Sequence, residues 1–144
     1  MVPEQQALIR SSLPMFRRDG ETIVGLFYED VFQSDPNLVH RFSMEDQVSG
    51  LQAKRFTHVL IAYVESLSED DGTVRMDPSF VAATRAHFKK NVEPNEFADL
   101  RTHFLKAIEI FMRGTAPPAL IEAWGVAYDD LAAIMMAAQR EGPR

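Results

Sequence analysis

Apolar residues recur along this chain at the spacing of an amphipathic helix, three or four positions apart. The clearest stripes are Leu100, Phe104, Ile108 and Phe111; Ile121, Trp124, Tyr128, Leu131, Met135 and Ala138; and Val48, Phe56, Val59, Tyr63 and Leu67. No clear β-rich alternating run lies between paired turn signals, so strands are not predicted. The pattern predicts an all-α fold.

Turn-forming residues divide the chain into seven predicted helices, one of them very short. The breaks are marked by Asp19-Gly20, Ser34-Asp35-Pro36, Asp70-Asp71-Gly72, Asp77-Pro78, Glu93-Pro94 and the segment 114–118. The predicted helices cover about residues 4–18, 21–33, 36–41, 45–68, 78–90, 94–113 and 118–140. Helices of such unequal length favour crossed packing over a regular four-helix bundle. A chain of 144 residues is the size of one ordinary domain, so we expect a single domain over residues 1–144.

The composition is that of an ordinary globular protein, with 144 residues, 46% hydrophobic and 25% charged. The formal net charge of −6 argues against nucleic acid as a partner. Because cysteine is absent, disulfides and thiolate metal sites are excluded. No secretory signal begins the chain and no apolar run is long enough to span a membrane, so we expect a cytoplasmic protein.

Three polar residues lie on predicted apolar faces, where burial is costly without a hydrogen-bond partner. Tyr28 shares a face with Val24 and Val31, Gln52 lies on the stripe of the fourth predicted helix, and His87 lies on an apolar face of the fifth. For each residue taken alone, a structural role is favoured: a Tyr or Gln bonded to a neighbouring helix, or a packed His. Spacing alone therefore does not decide between packing and ligand binding.

The other histidines do not form a recognisable metal or catalytic pair. His40, His58 and His103 have neither a His nor a carboxylate four positions further along the chain. The sequence also contains no Gly-rich phosphate loop, no GxSxG nucleophile elbow and no HExxH zinc motif. These absences leave no familiar hydrolase or nucleotide-binding signature.

A set of short motifs, taken in order, carries a family resemblance over about residues 5–141. They are Leu26-Phe27-Tyr28-Glu29-Asp30-Val31-Phe32, Asp35-Pro36-Asn37-Leu38, Arg41-Phe42, Gln52, His87, Leu105-Lys106-Ala107-Ile108 and Glu122-Ala123-Trp124-Gly125-Val126-Ala127-Tyr128. Together they resemble the bacterial single-domain haemoglobins and the globin domain of flavohaemoglobins. The resemblance implies a globin fold whose helices pack around a haem b pocket.

The resemblance also implies roles for individual residues. His87 looks like the proximal histidine, the axial ligand of the haem iron. Phe42 is similar to the globin phenylalanine that packs on the porphyrin. Tyr28 and Gln52 match the family's distal pair, whose hydrogen-bond donors stabilise a bound gas such as oxygen or nitric oxide.

Three further haem-binding positions, Arg55, Phe56 and Phe97, follow from the same resemblance. Phe56, one helical turn after Gln52, would line the distal pocket, where the family more often has a smaller aliphatic residue. Arg55 is placed where a cation could meet a haem propionate. Phe97 stands where flavohaemoglobins have a Tyr that supports the proximal histidine by hydrogen bonding, so we expect that support to be broken and peroxidase-like activation to be weak.

The resemblance leaves several functions open. The first is a reversible oxygen carrier, with nitric oxide detoxification as a physiological use. The second is a nitric oxide dioxygenase; since the sequence shows no flavin-binding module, we expect it to need an external reductase. The third is a gas sensor acting through a partner protein, and a haem-free interaction module is the most remote. We expect a monomer or a homodimer.

Overall fold

The computed structural model describes residues 1–36, 50–67 and 94–141, with the side chains of 52 and 138–141 outside the description. These ranges contain five helices and no strand, which confirms the all-α prediction for the part of the chain that they cover. The count of seven helices is not confirmed. The helices are α1 (Pro3–Ser11), α2 (Leu13–Ser34), α3 (Leu51–Ser66), α4 (Pro94–Phe111) and α5 (Pro118–Glu141).

The first break between helices lies at Ser12, so the predicted break at Asp19-Gly20 is wrong. Pro14 has no N–H to offer the carbonyl of Arg10, which interrupts the helical hydrogen bonding there. Ser12 Oγ donates a hydrogen bond to the Ile9 carbonyl oxygen at 2.6 Å and accepts one from a tryptophan indole N–H of α5. The serine thus fixes the junction between α1 and α2 onto the core.

Gly20 lies inside α2, at the point where this helix approaches α3. A Cβ built at Gly20 would lie only 2.5 Å from Thr57 Cγ2 of α3. The glycine is therefore needed for close approach of two helices and not for a turn. A glycine after an aspartate is compatible with both roles, which is why the sequence pattern was misleading here.

The remaining predicted boundaries agree only in part with the structure. Gly50 has a φ of 79°, a left-handed conformation that the interior of an α-helix does not contain, so α3 begins at Leu51 and the predicted continuous helix 45–68 is not confirmed. Its residues 45–49 and the predicted helix 78–90 lie outside the described residues, as does nearly all of 36–41. The predictions 94–113 and 118–140 match α4 and α5 to within two residues.

The core lies where α2 packs against α3 and α4, with α5 covering α4 and α1. Phe104 of α4 is fully buried at its centre and contacts aromatic rings on three other helices. Those contacts reach Phe27 on α2, Phe56 on α3 and Trp124 on α5, with ring centroids 5.8–6.1 Å apart. The large aromatic residues thus join four of the five helices through one buried cluster.

Candidate functional site

Two of the predicted distal residues come together between α2 and α3. The rings of Tyr28 and Phe56 are both buried, and their centroids lie 6.3 Å apart. Phe27 contacts both rings, at 4.9 Å from Tyr28 and 5.6 Å from Phe56. We call Phe27, Tyr28, Phe56 and Phe104 the aromatic wall.

The prediction that Tyr28 belongs on the inner face of its helix is confirmed. Only 3% of the residue is exposed, and the nearby Val24 and Val31 are fully buried. The Phe32 ring stacks on Tyr28 with a centroid distance of 5.9 Å and an interplanar angle of 25°. The position of the phenol is therefore set by apolar packing on several sides.

Gln52 lies in the first turn of α3, and its side chain is outside the described residues. Because residues four apart lie on the same helical face, its backbone position places it on the face that carries Phe56. Arg55 of α3 is half-buried. Phe42 and His87 lie outside the described residues, so their predicted roles stay predictions.

Phe97 is buried in the first turn of α4. Its backbone carbonyl accepts a 2.9 Å hydrogen bond from the hydroxyl of Tyr128 on α5. Burial raises the pKa of Tyr128 strongly, so this phenol remains a protonated donor. The phenyl ring of Phe97 has no hydroxyl, so it cannot donate the hydrogen bond that a Tyr at this position would offer.

A third buried phenol bonds a carboxylate on α5. Tyr63 of α3 donates a hydrogen bond to an Oδ of Asp130 on α5 at 3.3 Å. Burial raises the pKa of Tyr63, and the negative charge of Asp130 adds to the effect. Tyr63 therefore has a structural partner in the interface between α3 and α5.

Sequence reasoning missed a polar cluster at the C-terminal end of α2. His103 of α4 contacts Asp30 through Nδ1 at 2.5 Å and Asp35 through Nε2 at 2.8 Å. Lys106 Nζ donates to the other oxygen of Asp30 at 3.3 Å. A search for partners four positions from His103 could not find this cluster, because the aspartates are about 70 residues earlier in the chain. Lys106, one turn along α4 from the histidine, offered no signal by itself.

Within 1–36, 50–67 and 94–141, no group of three or more His, Asp or Glu side chains is arranged to hold a metal ion. No helix in that part of the chain is long and apolar enough to cross a membrane.

Comparison with known proteins identifies relatives over nearly the whole chain. The globin family model matches residues 25–135. The flavohemoprotein of Deinococcus radiodurans is 26% identical over 140 residues, which are 97% of this chain and 34% of that protein. The flavohemoprotein of Bordetella parapertussis is 28% identical over 138 residues, 96% of this chain and 34% of the relative. The chain thus spans about one third of the length of these curated relatives.

Solved structures share the same fold. A bacterial globin from Campylobacter jejuni superposes with a TM-score of 0.81 at 24% identity, covering 97% of both chains. The flavohemoglobin of Malassezia yamatoensis, solved with bound FAD and heme, gives a TM-score of 0.78 at 22% identity, covering 98% of this chain and 37% of that one. The resemblance deduced from the motifs is confirmed: this chain belongs to the globin family.

Proposed function

We propose that this chain is a haem protein that reversibly binds oxygen and other diatomic gases such as nitric oxide. The observation that carries the proposal is the buried Tyr28 phenol packed beside Phe56 in the aromatic wall. Family membership and the flavohemoprotein relatives support it. When bound, haem iron supplies the bond to the gas, and His87 is proposed as its axial ligand.

The described residues fit one face of a haem. The aromatic wall is apolar apart from one phenol, which suits a flat apolar ring with a small polar ligand on it. Arg55, half-buried one residue before Phe56, is proposed to meet a propionate at the pocket edge. Phe42 is proposed to pack against the porphyrin on the same grounds of residue type and order along the chain.

Tyr28 and Gln52 are proposed to stabilise the bound gas by hydrogen bonding. Oxygen bound to ferrous iron carries partial negative charge, so a hydroxyl or amide hydrogen directed at it is favourable. In a dry pocket each such donor contributes on the order of 1 kcal/mol. The tight packing of Tyr28 against Phe27 and Phe32 means that little entropy is lost when the donor is used.

Phe56 is proposed to limit the room beside the ligand. Its ring is 2% exposed and lies among Phe27, Tyr28 and Phe104, so it cannot move aside without disturbing the core. A diatomic gas is therefore favoured over larger ligands. On the opposite side, Phe97 is proposed to leave the proximal histidine without phenol support, which disfavours peroxidase-like chemistry.

The physiological use proposed here is oxygen supply or nitric oxide detoxification. The second role is favoured by the flavohemoprotein relatives, and the Malassezia flavohemoglobin was solved with bound FAD and heme. Turnover as a nitric oxide dioxygenase needs an electron after each cycle, which we propose comes from a separate reductase.

Absorption spectra test the proposal most directly. The protein, incubated with hemin and then reduced, is expected to give a Soret band that shifts with oxygen or carbon monoxide. His87→Ala is expected to lose normal haem content and the five-coordinate ferrous spectrum, whereas His58→Gln, on an exposed position of α3, is expected to keep both. A preparation that remains colourless with hemin would contradict the proposal.

Kinetics then test the roles of the distal residues. Tyr28→Phe is expected to speed oxygen dissociation about fivefold or more, since one hydrogen bond to the ligand is lost. Tyr63→Phe is the matched control, because that buried hydroxyl bonds Asp130 instead. Stoichiometric nitrate formed when the oxygenated protein meets nitric oxide would support the dioxygenase role, and its absence would rule that role out.

A further inference from the structure

The imidazole of His103 is held from both sides by carboxylates of another helix. Its two ring nitrogens lie 2.5 Å and 2.8 Å from oxygens of Asp30 and Asp35. The histidine side chain is only 13% exposed and that of Asp30 only 19%. We call Asp30, His103 and Asp35 the clamp.

This geometry requires a proton on each ring nitrogen. Ionised carboxylates only accept hydrogen bonds, and a neutral imidazole has one N–H donor. The neutral form would therefore place a nitrogen lone pair against one of the two carboxylate oxygens. Only the imidazolium satisfies both contacts, so the clamp is closed when His103 is charged.

The clamp joins α4 to the part of α2 that follows Tyr28. Asp30 lies in the last turns of α2, two residues after Tyr28, and Asp35 is the residue that ends the helix. Between them lies Phe32, whose ring stacks on the Tyr28 phenol. A change at the clamp therefore reaches Tyr28 through the adjoining backbone and through one ring contact.

We propose that His103 is a positioning residue whose imidazolium form ties the end of α2 to α4 and thereby holds the Tyr28 hydroxyl in its ligand-binding orientation. Loss of the imidazolium proton opens the clamp and frees the end of α2. The coupling to ligand binding rests on the proposed haem function, whereas the proton-dependent clamp itself does not.

The charges around the clamp are consistent with this role. On α4 itself, Lys106 contacts Asp30 and helps to lower the pKa of that carboxyl, and Asp99 is an exposed acid one turn before His103. Among the described side chains of α5, Asp129 forms an ion pair with α4. It bonds Arg101, which faces away from His103 because two residues of a helix differ by about 200°.

The direction of titration follows from these contacts. Burial opposes the charge on His103, but the hydrogen bonds and charges of Asp30 and Asp35 outweigh burial and raise its pKa from the ordinary 6.5. The hydrogen bond from His103 lowers the pKa of Asp30 against the opposing effect of burial, and Lys106 assists. The clamp is therefore closed below pH 6.5 and opens as pH rises through the raised histidine value.

The first measurement is an NMR titration of the protein labelled with ¹³C in His and Tyr rings, in the reduced carbon monoxide form. The His103 ring is expected to titrate above 6.5, and the Tyr28 ring signals are expected to shift with the same midpoint. A midpoint at or below 6.5 would overturn the clamp, because burial alone gives that result. Tyr28 ring signals that do not shift at the midpoint of the His103 titration would overturn the coupling.

The second measurement is the oxygen dissociation rate from about pH 6 to about pH 10. In the unaltered protein the rate is expected to rise about threefold as the clamp opens, a change typical of a partly exposed ion-pair network. His103→Gln is expected to give the fast rate at every pH, and Asp35→Asn, a milder change on the more exposed aspartate, to lower the midpoint. A pH step that persists unchanged in His103→Gln would overturn the proposal.

Two controls separate the clamp from other effects. Glu29→Gln removes the same charge from an exposed position between Tyr28 and Asp30, and is expected to keep the pH step. Tyr28→Phe is expected to abolish the step while leaving the His103 midpoint raised. If the protein bound no haem, the proposed function would fail, and the same NMR titration of His103 and Tyr28 in the haem-free protein would still decide the proton-dependent clamp.

Discussion

The middle and the C-terminal end of α2 contact the rest of the protein in opposite ways. The middle contributes Phe27 and Tyr28 to the aromatic wall, where contacts are apolar and buried. The end contributes Asp30 and Asp35 to a charged contact with His103. The strength of an apolar contact depends on shape and buried area, whereas that of an ion pair also depends on protonation and salt.

The same helix therefore makes one contact that does not depend on pH and one that does. Tyr28 lies at the boundary, with Phe27 before it in the aromatic wall and Asp30 two residues after it in the clamp. Its burial is set by apolar packing, whereas in the proposed clamp the orientation of its hydroxyl depends on the protonation of His103. The following substitutions test each half of this comparison.

The largest effect is expected from Phe104→Ala in the apolar region. The ring is fully buried and contacts Phe27 and Trp124, so its removal leaves a cavity between several helices. We expect a loss of about 4 kcal/mol in the free energy of unfolding, measured by urea denaturation. Ile110→Ala, on a position 49% exposed in the same helix, is expected to change it by less than about 0.5 kcal/mol. Similar losses in both variants would contradict the assigned core.

A smaller effect is expected from Gly20→Ala, at the contact between α2 and α3. The added methyl overlaps Thr57 Cγ2, so we expect a loss of about 2 kcal/mol despite the better helix propensity of alanine. Thr57→Ser removes that methyl, keeps the hydroxyl that donates to a helical carbonyl, and should rescue Gly20→Ala. Gly25→Ala meets no atom within 4 Å and is expected to stabilise by about 0.5 kcal/mol. Thermal melts of the four variants would reveal any failure of rescue.

His103→Gln is expected to cost about 1 kcal/mol between pH 3.8 and pH 6.5 and much less at high pH. The histidine pKa is raised by folding, so its contribution is fully present below 6.5 and is lost as pH rises through the raised value. The pKa of Asp30 is lowered, so its contribution is present above 3.8 and is lost as pH falls further. The difference in free energy of unfolding between the unaltered protein and His103→Gln, measured by denaturation against pH, should therefore form a plateau between pH 3.8 and pH 6.5 and fall on either side. A difference that is constant at all pH values would contradict this prediction.

The smallest effect is expected at an exposed ion pair between α2 and α3. Arg17 of α2 contacts Glu65 of α3 at 2.6 Å, and both side chains are about half exposed, at 54% and 51%. Glu65→Gln is expected to lower the free energy of unfolding by less than about 0.5 kcal/mol, and added salt should remove the difference. A loss as large as that of His103→Gln would show that burial does not distinguish the two ion pairs.

Much of the helical framework could be predicted from local patterns. The starts of α4 and α5 were predicted because Pro94 and Pro118 mark first turns, where a missing N–H has no cost. The burial of Tyr28 could be predicted from its position on the apolar stripe of α2. The break at Ser12 was missed because its cause combines a local proline with a tryptophan contact from the far end of the chain.

The candidate site divides in the same way. Residue order along the chain was enough to name Tyr28, Gln52 and His87 by resemblance, but the packing of Phe56 on Tyr28 is a contact between different helices. The clamp could not be predicted at all, because spacing rules compare positions within one helix, and His103 meets its two aspartates across two helices.

Sequence alone determined the all-α class, the inward face of each amphipathic helix and the family, since these depend on periodicity and on the order of residue types. Only the tertiary structure decided that Gly20 is a close contact and that His103 is a charged link. The physical reason is that both depend on distances of a few ångströms between helices remote in sequence, and such distances are set by the packing of the whole core.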